Sequence, residues 1–299
     1  MKGLSGNNMS TKELEKIGKI IFVNSFKGGA GKTTLALTLC INALFQEEVK
    51  YENVIYMDLD ILGTGTCYLF DEKKLPVEKC FNITKKSVML ELQLDKKLRS
   101  LHVAYLNPKL KNHSSYGENY FKNHQVVAAE MLRADVLTFI KEESRLMPNT
   151  LFVLDCAPGL SEFEQKLLKE CYHLTVGGKL KVQEEYVTTL DSAHVRKCIQ
   201  CLNDSCQGLE VKKDLRSIRL ILNDVQNYSG YLRGEGNDVE QRWKRIATEV
   251  KSVLVNKGIK VYFWGYSESI AMRTTYTDEL KVENQIDEYI FTDNNFIKM

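Results

Sequence analysis

The run Lys19-Ile20-Ile21-Phe22-Val23-Asn24, followed after Ser25-Phe26 by Lys27-Gly28-Gly29-Ala30-Gly31-Lys32-Thr33-Thr34, decides how this chain folds. Its first part is apolar and rich in β-branched residues and stops at a glycine-rich turn, which predicts a buried strand. From Lys32 to about Gln46, Leu35, Leu39 and Ala43, with Leu37 and Ile41, keep helical spacing without Pro or Gly, which predicts a helix. Strand, glycine turn and helix in that order let backbone N–H groups converge on a polyphosphate at the positive end of the helix dipole.

The turn fits the general P-loop pattern, in which Gly28, Gly29 and Gly31 leave room for the phosphates, and Ala30 and Thr34 are also expected to bind the nucleotide. Lys32 is expected to reach the β- and γ-phosphates of ATP, and the Thr33 hydroxyl to ligate Mg²⁺. One feature departs from the pattern: Phe26 stands where the general loop has glycine, and a second lysine, Lys27, follows it.

Working outward, further buried strands are predicted at residues 54–57, 101–105, 151–154, 173–176, 218–222 and 259–263. Helices are predicted at 126–145, 161–170, 183–202 and 239–256. Continuous apolar strands alternating with helices imply an α/β fold with a doubly wound, mostly parallel sheet, the P-loop NTPase fold. Residues 107–124 read as a long polar loop. The chain has 299 residues, close to the limit of a single core, and no composition shift divides it. The expected organisation is a polar N-terminal extension, 1–17, and one ATPase domain, 18–299.

Lys-Gly-Gly-x-Gly-Lys-Thr-Thr resembles the deviant Walker A motif of the ParA/MinD family, which also includes the nitrogenase iron protein and related metal-carrier ATPases. Two more segments are similar to that family in the same order. The strand ending in Asp58-Leu59-Asp60 resembles its switch segment, and Leu151-Phe152-Val153-Leu154-Asp155-Cys156-Ala157-Pro158 its Walker B strand. A strand-end carboxylate beside a P-loop can hold Mg²⁺ through water, the role expected of Asp155. The resemblance implies that Lys27 crosses a dimer interface to the partner's nucleotide, that Asp60 orients the attacking water, and that Asp58 supports the metal shell with Thr33 and Asp155. It also implies that Asn223 reads adenine. Residues 182–186 resemble the segment after the family's next strand; where the family places a Pro near the base, this chain has Trp264-Gly265-Tyr266-Ser267-Glu268.

The activity so implied is that of a ParA-like ATPase: an ATP-dependent homodimer that hydrolyses ATP to ADP and phosphate with a stimulating partner protein, in DNA or plasmid partition or cargo positioning. The alternatives are a metal-carrier or enzyme ATPase of the same family, or a regulatory ATPase of a defence or conflict system. A formal net charge of +2 advertises no global attraction to nucleic acid. Non-specific DNA binding would have to use a local patch among Lys212, Lys213, Arg216, Arg219, Arg242, Lys244, Arg245 and Lys251. Eight cysteines without a secretory signal suggest reduced thiols and a cytoplasmic protein. Cys198, Cys201 and Cys206 have no partner motif to complete a metal site. No apolar run is long enough to cross a bilayer, and the C-terminus lacks a basic amphipathic helix, so no membrane association is expected.

Overall fold

The computed structural model describes residues 18–45, 50–60, 77–80, 83–91, 98–106, 118–159, 161–175, 180–208, 216–223, 248, 250, 258–264 and 296–298. Among these, strands β1 (Gly18–Ser25), β2 (Asn53–Asp58), β3 (Val77–Cys80), β4 (Ile83–Glu91), β5 (Leu98–Leu106), β6 (Thr150–Pro158), β7 (Leu180–Thr189), β8 (Ser217–Asn223), β9 (Lys260–Trp264) and β10 (Phe296–Lys298) form one sheet. Its order is β10-β9-β8-β7-β1-β6-β2-β5-β4-β3. The run from β9 to β5 is parallel throughout, and β10, β4 and β3 add antiparallel margins. Helices α1 (Lys32–Phe45), α2 (Glu118–Leu146), α3 (Glu162–Thr175) and α4 (Ser192–Gly208) lie between strands in the chain.

Alternation along β1 sorts the core. Ile21 and Val23 pack with Leu35, Cys40 and Ile41 of α1 on one face. Ile20 and Phe22 pack on the other with Val136 and Ile140 of α2 and Leu167 and Cys171 of α3. Tyr186, Leu220 and Leu222 continue that second face under Val195 and Leu202 of α4. With both faces covered, the central strands carry few exposed positions, which explains their unbroken apolar runs. The chain leaves β1 for β2, returns to insert β6 between them, and then places β7 on the other side of β1. This reversal is the topological switch point of a doubly wound sheet, and the crevice outside the strand carboxyl ends there is where such folds hold ligands.

Two predictions at 161–202 are corrected. Residues 173–175 are not a strand but the last turn of α3, because Phe163, Leu167, Cys171 and the partly buried Leu174 sustain one helical stripe. Residues 183–189 are not helical; they belong to β7, and the helix starts only at Ser192, capped by Asp191, whose Oδ1 accepts from the Ala193 and His194 amides at 2.9 and 3.2 Å. The reversed assignment has a physical cause. Glu184 is fully buried, yet Arg216 forks both of its oxygens at 2.9 and 2.8 Å while Tyr172 and Tyr186 donate at 2.7 and 2.8 Å. A charged strand residue is tolerated in a core when so paired. Strands β3 and β4 and the early turns of α2 were not anticipated, and most of the helix expected at 239–256 lies outside the described residues, with Thr248 and Val250 helical.

Candidate phosphate and magnesium site

β1 delivers its chain to the switch point with Ser25 buried, and the loop that follows is shaped by glycine where backbone conformation demands it. Gly29 and Gly31 have φ of 74° and 92°, in the left-handed region that side chains other than glycine seldom adopt. A Cβ at Gly31 would also stand 2.4 Å from Asn223 Nδ2. Helix α1 begins at once, the Leu35 amide donating to the Gly31 carbonyl at 2.9 Å, so the first N–H groups of α1 open toward the loop. Gly28 and Gly29 are exposed, whereas Ala30 and Lys32 are buried.

The strand ends meet this loop. Thr33 Oγ1 donates to Asp155 Oδ2 at 2.6 Å, across 122 residues of sequence. Asp58 is in register with Asp155 on the adjacent strand, and the Leu59 amide donates to the Asp155 carbonyl at 2.9 Å. The Asp60 amide donates to Asp58 Oδ1 at 2.9 Å, a local turn that sets Asp60 beside the Asp58 and Asp155 pair. The Gly159 amide donates to the Ser25 carbonyl at 2.8 Å, tying the end of β6 to the start of the loop. Glu164 holds the next turn, accepting from Ala157 and Ser161 amides at 2.9 and 2.7 Å in a capping box for α3.

Burial dominates the electrostatics of Asp155. It pushes the carboxyl from 3.8 up to about 7, the Thr33 and Tyr56 hydrogen bonds and Lys32 opposing the rise and Asp58 adding to it. Its second oxygen, Oδ1, is buried without a hydrogen-bond partner. An orphaned acceptor on a carboxylate so short of positive charge fits a divalent cation. Thr33, Asp58 and Asp155 are the residues that would hold Mg²⁺, which supplies charge neutralisation for bound phosphates. Among the described residues no group of three or more His, Cys, Asp or Glu could hold a metal by itself. A P-loop cation needs no such group, since phosphate oxygens and water complete its shell. On α4, Cys198 is buried in the core and Cys201 is half-buried, while the side chain of Cys206 lies outside the described residues.

Residues Lys32, Thr33, Asp58, Asp60 and Asp155 are thus brought together. Asn223 joins the loop from the other side, its Nδ2 donating to the Ala30 carbonyl at 2.9 Å, with Trp264 beside it in register on β9. The expected adenine reader therefore already has one amide N–H engaged as a strap on the phosphate loop. Lys27 stands apart. It is exposed, and its Nζ lies 3.4 Å from Nδ1 of His194 in the first turn of α4, which also has Thr189 Oγ1 at 2.9 Å. Phe26, the residue before Lys27, stacks on Tyr186, ring centroids 5.6 Å apart.

No protein-family model matches the chain, and no curated protein matches it. Several solved structures are similar in fold. One is a nucleotide-binding protein from Archaeoglobus fulgidus in complex with ADP, 16% identical over 93% of this chain and 94% of that one, with a TM-score of 0.43. Another is a plasmid partition protein from Borrelia burgdorferi, 16% identical over 80% of this chain and 99% of that one, with a TM-score of 0.38. The reading of the site rests on its own residues. Sequence reasoning missed Tyr56 and His194, since a tyrosine in an apolar strand and a helix-turn histidine each read as packing. No described helix is long and apolar enough to cross a membrane.

Proposed function

We propose that this protein is a ParA-like ATPase, an ATP-dependent dimerisation switch that hydrolyses ATP to ADP and phosphate and acts in DNA partition or cargo positioning in the cytoplasm. The observation that carries the reading is the hydrogen bond from Thr33 to Asp155, which joins the glycine loop to a strand-end carboxylate with one oxygen left over for a cation. Lys32 would neutralise the β- and γ-phosphates, Thr33, Asp58 and Asp155 would hold Mg²⁺, and Asp60 would orient water for in-line attack. Barrier lowering would then come from positioning and charge rather than covalent chemistry.

The dimer half of the reading rests on Lys27, exposed at the loop and turned to His194 rather than to Asp155. A cation there is available to a second subunit's phosphates. In an Asp60→Ala background, which should accumulate the ATP state, saturating ATP is expected to double the mass by light scattering. Adding Lys27→Ala should return it to the monomer mass while ATP still binds. A dimer of equal strength without Lys27 would leave a generic P-loop ATPase and remove the switch.

A further inference from the structure

Tyr56 lies in the apolar run of β2, fully buried in the core beneath α1. A phenylalanine would fill the same space without a hydroxyl to desolvate, and a buried hydroxyl costs stability unless it has a partner. That partner is Asp155. Tyr56 OH donates to Asp155 Oδ2 at 2.8 Å, the same oxygen that takes the Thr33 hydroxyl at 2.6 Å. The sheet dictates the meeting: Tyr56 is in register with Val153 on β6, so Asp155 projects from the same face two residues nearer the phosphate loop.

Two donors on one carboxylate oxygen use both of its lone pairs. The acceptor capacity that remains is on Oδ1, buried and without a partner. Rotation of the carboxyl about its Cβ–Cγ bond would exchange the two oxygens, and either donor alone restrains it less than the pair. Thr33 is itself an expected metal ligand in the first turn of α1, whereas the Tyr56 ring is buried in the core.

We propose that Tyr56 is a positioning residue for the metal-binding carboxylate: with Thr33 it pins Asp155 Oδ2 and so presents Oδ1 to the cation beside the phosphates. It touches neither nucleotide nor metal. This rests on the magnesium and nucleotide reading of the site. The hydrogen bond from Tyr56 also counters the effect of burial on the Asp155 carboxyl.

The test is calorimetric titration of the full chain with ADP, in EDTA and across a series of Mg²⁺ concentrations, for wild type, Tyr56→Phe, Asp155→Asn and the double variant. Tyr56→Phe keeps the ring and hence the core packing, and thermal melting checks that it is folded. For wild type, Mg²⁺ should tighten ADP binding. Tyr56→Phe should match wild type in EDTA but need roughly tenfold more Mg²⁺ for half the tightening, the scale of one hydrogen bond to a charged group. In the Asp155→Asn background, Tyr56→Phe should change the Mg²⁺ dependence no further. A wild type whose ADP affinity ignores Mg²⁺ refutes the site reading and the proposal with it. A normal wild type with an unshifted Tyr56→Phe, with equal losses in EDTA and in Mg²⁺, or with the same shift in the Asp155→Asn background overturns the role of Tyr56 alone.

Discussion

Replacing Gly31 by alanine probes the phosphate loop through its backbone rather than its charges. At φ 92° an L side chain is strained, by about 1–2 kcal/mol. The new Cβ would also lie 2.4 Å from Asn223 Nδ2, and because Asn223 is buried its amide can yield only by leaving the Ala30 carbonyl. An acceptor abandoned in the interior costs about 1–3 kcal/mol. The two together come to about 3 kcal/mol, or roughly 6 °C in melting temperature at about 2 °C per kcal/mol for a chain of this size. Gly29→Ala is the internal control: it shares the left-handed backbone, φ 74°, but its Cβ would meet nothing within 4 Å, so only the strain should remain, roughly 3 °C. Melting curves of the nucleotide-free variants separate the two contributions, and in an Asn223→Ala background Gly31→Ala should cost no more than Gly29→Ala. If Gly31→Ala melts no lower than Gly29→Ala, Asn223 is not a wall of the loop and the strap described above is wrong.

Three other outcomes are expected. Lys32→Ala should lose nucleotide binding or hydrolysis while melting close to wild type; turnover at the wild-type rate would contradict the P-loop reading. Asp60→Ala should keep ATP and Mg²⁺ affinity but slow hydrolysis strongly, whereas Asp155→Asn should weaken Mg²⁺ dependence; matching defects in the two, by binding and turnover assays, would dissolve that division of roles. Without nucleotide or metal, the folded protein holds a proton on Asp155 up to about pH 7 that the unfolded chain releases near 3.8, so this group's contribution to stability falls as pH rises between those values. Asp155→Asn does not titrate and should melt above wild type at pH 8, the gap closing toward pH 4. Glu185, raised by burial to about 7, titrates in both proteins and drops out of the difference. A gap independent of pH, measured in EDTA, would count against the burial argument.

Much of the sheet was legible because its central strands are covered on both faces and therefore spell themselves as apolar runs: β1, β2, β5, β6 and β8 all include the segments read as strands, and β9 takes in all but the first residue of 259–263. β7 was hidden because Gln183, Glu184 and Glu185 look solvent-seeking. Their cationic partners come from elsewhere: Arg216 for Glu184, and Arg219, which bonds Gln183 Oε1 at 2.9 Å and lies 3.4 Å from Glu185. No local window contains both members of such pairs. The same holds at the site. The loop, Asp58, Asp60 and Asp155 carry a local signature of glycine spacing or of a carboxylate ending an apolar strand, so they could be named one by one. The bond from Asn223 to Ala30 spans 193 residues and that from Tyr56 to Asp155 spans 99, and neither leaves a trace in spacing.

The margins of the sheet bear on how copies of this chain can meet. A sheet with long, flat outer strands offers rows of free N–H and C=O groups, and a second sheet can continue it, copy after copy, into a filament. Here the described outer strands are β10, three residues long, and β3, four residues long, each running against its neighbour. Flanks that brief carry few free backbone groups of their own to template continued growth. Among the described residues the sheet margins thus offer little to lateral stacking, and any association of copies would fall to side-chain surfaces and to the loops at the strand carboxyl ends.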